Sequence, residues 1–146
     1  MNALKQVTRQ SLLIVAGAVA LVVAGCADMA TSKSIQVTLS GAQQNPPVTT
    51  AASGSGNITV GADMSVSGSV TTTGVVGVAA HIHDGAPGKN GPVVIGLTKS
   101  GDNGWVVPPG AKFTEAQYAN YKAGNLYINV HSAANKSGEI RGQLKP

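Results

Sequence analysis

Residues 126–131 have the sequence Leu-Tyr-Ile-Asn-Val-His, in which apolar and polar side chains alternate over the whole segment. Successive side chains of a β-strand point to opposite faces of the sheet, so the alternation predicts a strand with one buried and one polar face. The apolar members would face the core, and His131 would lie on the opposite face with Tyr127 and Asn129. A strand of this kind indicates a sheet packed around an apolar core.

Short segments of similar character recur along the chain, with Gly, Pro, Asn or Asp between them. From residue 26 onward there are 13 Val, 6 Ile and 10 Thr but only four Leu, a composition that favours strands over helices. We therefore predict an all-β fold, an antiparallel, Greek-key-like β-sandwich or barrel of about eight strands. The predicted strands are 34–40, 55–60, 64–72, 78–83, 92–98, 103–107, 125–131 and 138–144.

One short helix is expected within this pattern, at residues 115–123. Thr114 and Gln117 have the spacing of a capping box, in which each side chain binds the other residue's backbone N–H. Gly124 supplies the typical C-terminal stop. The helix would close one end of the sandwich.

The N-terminal segment predicts a secretory leader. Lys5 and Arg9 precede an uncharged apolar segment at 12–24, which is short for a bilayer span. The small residues before Cys26 resemble the bacterial lipobox, in which the cysteine is diacylated and becomes the first mature residue. We expect a lipoprotein signal peptide at 1–25, a tether at 26–33 and a β domain at 34–146. Ala27 after the cysteine implies the outer membrane of a Gram-negative envelope, facing the periplasm or the surface.

The charge distribution argues against nucleic acid as a partner. The formal net charge is +4, but two of the basic residues belong to the leader. The remaining basic residues are dispersed singly, with no stripe and no interleaved aromatic side chains. The charge distribution also gives no indication of a particular protein partner.

All three histidines of the chain fall on two predicted strands. His81 and His83 are separated by one residue and would share the outer face of a strand, and His131 ends the segment described above. Alternation on the first of these strands places Val78, Ala80 and Ile82 on the core side. If the two strands are neighbours, three imidazoles can meet at the roughly 2.0–2.1 Å bonds that zinc and copper form with nitrogen. Copper is the expected metal and zinc the alternative, since imidazole suits both and the divalent affinity order favours copper. The alternative is that the histidines bind no metal and are solvated side chains on the polar face of a strand.

Two acidic residues are candidates to orient the site. Asp84 directly follows the histidine pair, and Glu139 comes shortly after His131. Their structural alternatives are turn capping for Asp84 and an exposed cross-face pair of Glu139 with Arg141. Met64 could supply a soft ligand to Cu(I), although a lone methionine in a strand is usually packing. We assign no catalytic residue, because neither a nucleophile elbow nor a phosphate-binding loop is present.

Six motifs are distinctive: 39–43, Pro46-Pro47-Val48, Ala80-His81-Ile82-His83, Gly91-Pro92-Val93-Val94, 123–131 and 138–143. Together they resemble the CHRD (chordin-type) domain over about residues 35–144. The resemblance implies an all-β domain, found in extracellular growth-factor antagonists of animals and often as a secreted or lipid-anchored single domain in bacteria.

The expected function is copper or zinc binding by an envelope lipoprotein through His81, His83 and His131, for metal buffering, delivery or tolerance. A metal-free module that binds a protein or polysaccharide is the alternative. A superoxide-dismutase-like redox enzyme is a weaker one: His81-Ile82-His83 is similar to the copper-binding strand of those enzymes, which need more histidines than this chain has.

Overall fold

Alternating apolar residues define the strands, as the sequence predicts. In the first strand Ile35, Val37 and Leu39 are buried, whereas the intervening residues are exposed. The computed structural model describes residues 32–146, so the predicted leader, Cys26 and nearly all of the tether lie outside the described residues. The strands are β1 (Lys33–Ser40), β2 (Ser53–Val60), β3 (Val66–Thr73), β4 (Gly77–Asp84), β5 (Val93–Gly96), β6 (Thr98–Ser100), β7 (Gly104–Val106), β8 (Leu126–Ser132) and β9 (Ile140–Leu144).

All nine strands form one antiparallel sheet in the order β5-β4-β8-β9-β1-β2-β3-β7-β6. The two edge strands are consecutive in the chain and are joined only through Leu97, whose N–H donates to the Ala80 carbonyl at 2.9 Å. The sheet therefore curls into a nearly closed barrel. The predicted all-β antiparallel class is confirmed. The number of strands differs because the predicted strand at 92–98 divides at Leu97 into β5 and the start of β6.

The core lies inside this curled sheet. The inward residues of β4 and β8 are almost fully buried, among them Ala80, Ile82, Ile128 and Val130. Burial of apolar surface on this scale is the main force that holds an all-β domain together. It also fixes the register of the two strands, since a slip by one residue would turn every apolar side chain outward.

The helix α1 (Glu115–Lys122) begins at the predicted capping box. The Gln117 N–H donates to Thr114 Oγ1 at 3.2 Å, and the Thr114 N–H donates to Gln117 Oε1 at 2.9 Å. Tyr121 is buried against the core, so the helix packs onto the barrel as expected. A 3-10 turn at Gly41–Gln43 follows β1. Within residues 32–146, no helix has the length and apolar character needed to cross a membrane.

One inward assignment is wrong. Alternation places Val78 on the core side with Ala80 and Ile82, but Val78 is 59% exposed. The pairing of β4 with β8 shifts between Gly77 and Ala79, where an extra residue forms a β-bulge. A bulge leaves one residue unpaired and resets the alternation, which is why the pattern fails at this position.

Candidate metal centre

The pairing of β4 with β8 brings the three histidines together. The two strands are antiparallel neighbours, with Ala79 opposite His131, His81 opposite Asn129 and His83 opposite Tyr127. Residues one position away on each strand form the buried core. The imidazoles therefore project from the outer face of the barrel.

The separations between the imidazole nitrogens are close to those of a metal site. His81 Nδ1 lies 3.0 Å from His131 Nε2, and one nitrogen from each of the three rings lies within 4.8 Å of the others. Three nitrogens bound to one ion at roughly 2.1 Å are about 3.4–3.6 Å apart in tetrahedral or trigonal geometry. Shortening the longest separation by about 1 Å would thus close the three nitrogens around one ion. The predicted three-histidine cluster is present.

Backbone carbonyls fix the orientation of two of the rings. His83 Nδ1 lies 2.9 Å from the Gly91 carbonyl, and His131 Nδ1 lies 2.8 Å from the Lys136 carbonyl. A carbonyl only accepts hydrogen bonds, so both Nδ1 atoms donate and the lone pair of each ring is on Nε2. This arrangement, in which the second ring nitrogen is held by a carbonyl, is common among metal-binding histidines.

The lone pair of His83 has no hydrogen-bond partner. His83 is 8% exposed, and its Nε2 atom is buried without a partner. His131 Nε2 can accept from His81 Nδ1, which then carries a proton in the metal-free protein. An ion between the rings would satisfy the buried Nε2 of His83 and replace the hydrogen bond between His81 and His131. The residues present therefore fit a metal.

The site favours neutral imidazoles. The pKa of His81 is lowered below 6.5, chiefly because burial disfavours the charged form and also because His131 and His83 are close. Burial likewise lowers the pKa of His83, assisted by the charges of His131 and Arg141; the Gly91 carbonyl and the nearby Asn129 amide oppose this effect. Metal ions bind imidazole only in its neutral form, so these shifts keep His81 and His83 available as ligands at a lower pH than an unperturbed histidine.

Asn129 is a central residue of the site. It is 3% exposed, lies opposite His81 in the β-ladder and has a buried Oδ1 atom without a hydrogen-bond partner. Strand alternation places Asn129 on the histidine face, but no local signal shows that this face is covered. Gly138 lies against the Asn129 amide, since a Cβ atom built on Gly138 would be 2.8 Å from Asn129 Nδ2, and it also lies against Gln44, which is far from Asn129 in sequence.

Tyr127 and Arg141 form a stack behind His83. The rings of His83 and Tyr127 are nearly parallel, with centroids 4.9 Å apart. The Arg141 guanidinium carbon lies 3.5 Å from the Tyr127 centroid. The alternative of an exposed Glu139–Arg141 pair is wrong, because Arg141 is 1% exposed and its hydrogen bonds go to other partners.

The two candidate acids are engaged elsewhere. The Asp84 carboxylate accepts a hydrogen bond from Asn120 of α1 at 2.8 Å. The Glu139 carboxylate accepts one from Thr50 at 2.7 Å, and hydrogen bonds from Ser132 and Thr50 lower its pKa. Neither acid hydrogen-bonds to an imidazole within the described part of the chain. Met64 packs against the hydrophobic core and is not a member of the histidine cluster.

A comparison with protein-family models matches residues 35–144 to the CHRD domain. No curated protein and no solved structure matches the chain significantly. The match covers well over half of the 146 residues and includes every strand that contributes to the histidine cluster. The chain belongs to the CHRD domain family.

Proposed function

We propose that this CHRD domain binds copper through His81, His83 and His131, with zinc as the alternative metal. The observation that carries the proposal is the convergence of three imidazoles, with one nitrogen of each within 4.8 Å of the others, together with a His83 Nε2 atom that is buried without a partner. A buried polar atom without a partner costs free energy, and a bound ion would recover it.

The choice of copper rests on the chemistry of the donors. All three ligands are imidazoles, which suit copper and zinc better than the hard ions Ca²⁺ and Mg²⁺. Between the two divalent ions at equal geometry, the affinity order places Cu(II) above Zn(II). Two carbonyl contacts hold the rings of His83 and His131 in the tautomer that leaves Nε2 free, so only His81 must shift its proton on binding.

The cellular setting is a further part of this proposal. The apolar segment that ends at Cys26 supports an envelope lipoprotein anchored by acyl chains, in the outer membrane of a Gram-negative bacterium. A partly exposed site on a membrane-bound domain suits metal buffering, delivery or tolerance, because the ion can enter and leave from the outer face. No nucleic acid takes part in such a role.

Metal titration of the purified protein tests the proposal. We expect one copper ion per chain, and His81→Gln, His83→Gln and His131→Gln should each weaken binding by more than tenfold, because losing even a residue that only orients a ligand costs about 10–100-fold in metal affinity. Gln36→Ala, an exposed change on the polar side of β1, is the matched control and should bind like the wild type. Uptake that is unaffected by all three histidine variants would favour the metal-free interaction module.

A further inference from the structure

A buried positive charge lies next to the histidine cluster. The Arg141 guanidinium is almost completely buried, and its hydrogen-bond acceptors are all neutral. Nη1 donates to the Lys89 carbonyl and the Asn90 side chain, and Nη2 donates to the Ala86 carbonyl and the Gln143 side chain. Among residues 32–146, the only side-chain ion pair joins Lys112 and Asp63. The charge of Arg141 is therefore not cancelled by a carboxylate.

The Tyr127 ring lies beside both the Arg141 guanidinium and the His83 imidazole. In the strand order Tyr127 of β8 lies between His83 of β4 and Arg141 of β9. The distances of 3.5 Å and 4.9 Å to the Tyr127 centroid put the guanidinium carbon no more than about 8.4 Å from the centre of the His83 ring. At that range in a partly buried setting, two charges still interact appreciably.

No negative charge opposes Arg141 at the histidines. Asp84 is bound by Asn120, and Glu139 is bound by Thr50. The charged groups that act on His81 and His83 are the neighbouring imidazoles and Arg141, all of which are cationic when charged. An incoming ion thus meets neutral ligands and a positive surrounding.

Building on the proposed function, we propose that the site holds copper as Cu(I) in preference to Cu(II) or Zn(II), and that Arg141 sets this preference. Cu(I) brings one positive charge into the site, whereas the other two ions bring two. The repulsion from a fixed cation is therefore smaller for Cu(I). Cu(II) also prefers a tetragonal set of nitrogen and oxygen donors, and the histidines supply only three.

Arg141 also has a positioning role that must be separated from its charge. Its bonds to the Ala86 and Lys89 carbonyls hold the loop that presents the Gly91 carbonyl to His83. Arg141→Gln removes both the charge and part of this clamp. Arg141→Lys keeps the charge but loses the planar fork of donors, so the pair distinguishes the two effects.

The experiment measures Cu(I) and Cu(II) affinities of the full chain by competition with ion-specific chelators, anaerobically for Cu(I). We expect the wild type to bind Cu(I) more tightly than Cu(II). Arg141→Gln should shrink the ratio of the two affinities by about thirtyfold, from one unit of charge at roughly 8 Å in an effective dielectric of about 20. Arg141→Lys should keep the wild-type ratio within a few-fold.

Three results would overturn the inference. The first is a wild type that binds Cu(II) more tightly than Cu(I), and the second is an Arg141→Gln variant with the wild-type ratio of Cu(I) to Cu(II) affinity. The third is an equal fall of that ratio in Arg141→Gln and Arg141→Lys. If Arg141→Gln does not fold, the wild-type ratio still decides the preference for Cu(I), and Arg141→Met, a second uncharged replacement, tests the role of charge. His81→Gln separates this inference from the proposed function. If that variant binds both ions as the wild type does, the three-histidine site itself is wrong.

Discussion

Val130 and Val78 provide a matched test of the strand register on which the histidine cluster depends. Val130, next to His131 on β8, is 0% exposed, whereas Val78 lies at the bulge of β4 and is exposed. Truncating valine to alanine removes two methyl carbons, worth roughly 1.6 kcal/mol of transfer free energy when they are fully buried. An unfilled cavity raises the loss to about 2–3 kcal/mol.

We expect this cavity to stay open, because the atoms around Val130 are already closely packed. A Cβ atom built on Gly77 would lie 3.0 Å from Val130 Cγ1 and 2.9 Å from the Trp105 ring, so the backbone and the indole already pack closely there. For a domain of this size the loss corresponds to a fall in Tm of roughly 6–12 °C. Val78→Ala should change the free energy of unfolding by less than about 0.5 kcal/mol. Urea unfolding of the metal-free variants measures both, and equal losses would refute the register.

Three further outcomes are expected. Because the pKa values of His81 and His83 are lowered in the folded protein, the unfolded chain takes up protons on its histidines first as the pH falls below 6.5. The free energy of unfolding of the metal-free protein should therefore decrease from pH 7.5 to pH 5.5. His83→Gln should make that decrease smaller. A pH-independent stability over this range would contradict the burial of the rings. Thr114→Ala removes the cap of α1 and should cost about 1 kcal/mol in thermal or urea unfolding, whereas no loss would mean that the capping box contributes nothing. Cys26→Ser should shift the protein out of the membrane fraction of an expressing bacterium, and normal processing with membrane retention would disprove lipid anchoring.

The sequence predicts the features that depend on local pattern. Alternation along 126–131 identifies β8 and its histidine face, and the Thr114–Gln117 spacing identifies the start of α1 to the residue. Both follow from the backbone periodicity and capping chemistry of single segments.

The features that the sequence does not predict depend on contacts between distant segments. Arg141 is covered by the loop at 85–92, whose Ala86 and Lys89 carbonyls accept its hydrogen bonds, and Asn129 lies against Gly138, which also contacts the distant Gln44. Alternation places Asn129 on a polar face, and a residue on a solvated polar face would tolerate truncation. The structure instead buries it beside His83. Likewise, the exposure of Val78 arises from a bulge that the apolar pattern does not mark.

X-ray absorption spectroscopy of the copper-loaded protein tests the central claim most directly, because it counts the ligands around the ion. The chain has no histidine outside the cluster, so every imidazole in the spectrum must come from His81, His83 or His131. We predict three imidazole nitrogens at roughly 2.0 Å from each copper ion. A shell dominated by oxygen, or one with a single imidazole per copper, would contradict the three-histidine site.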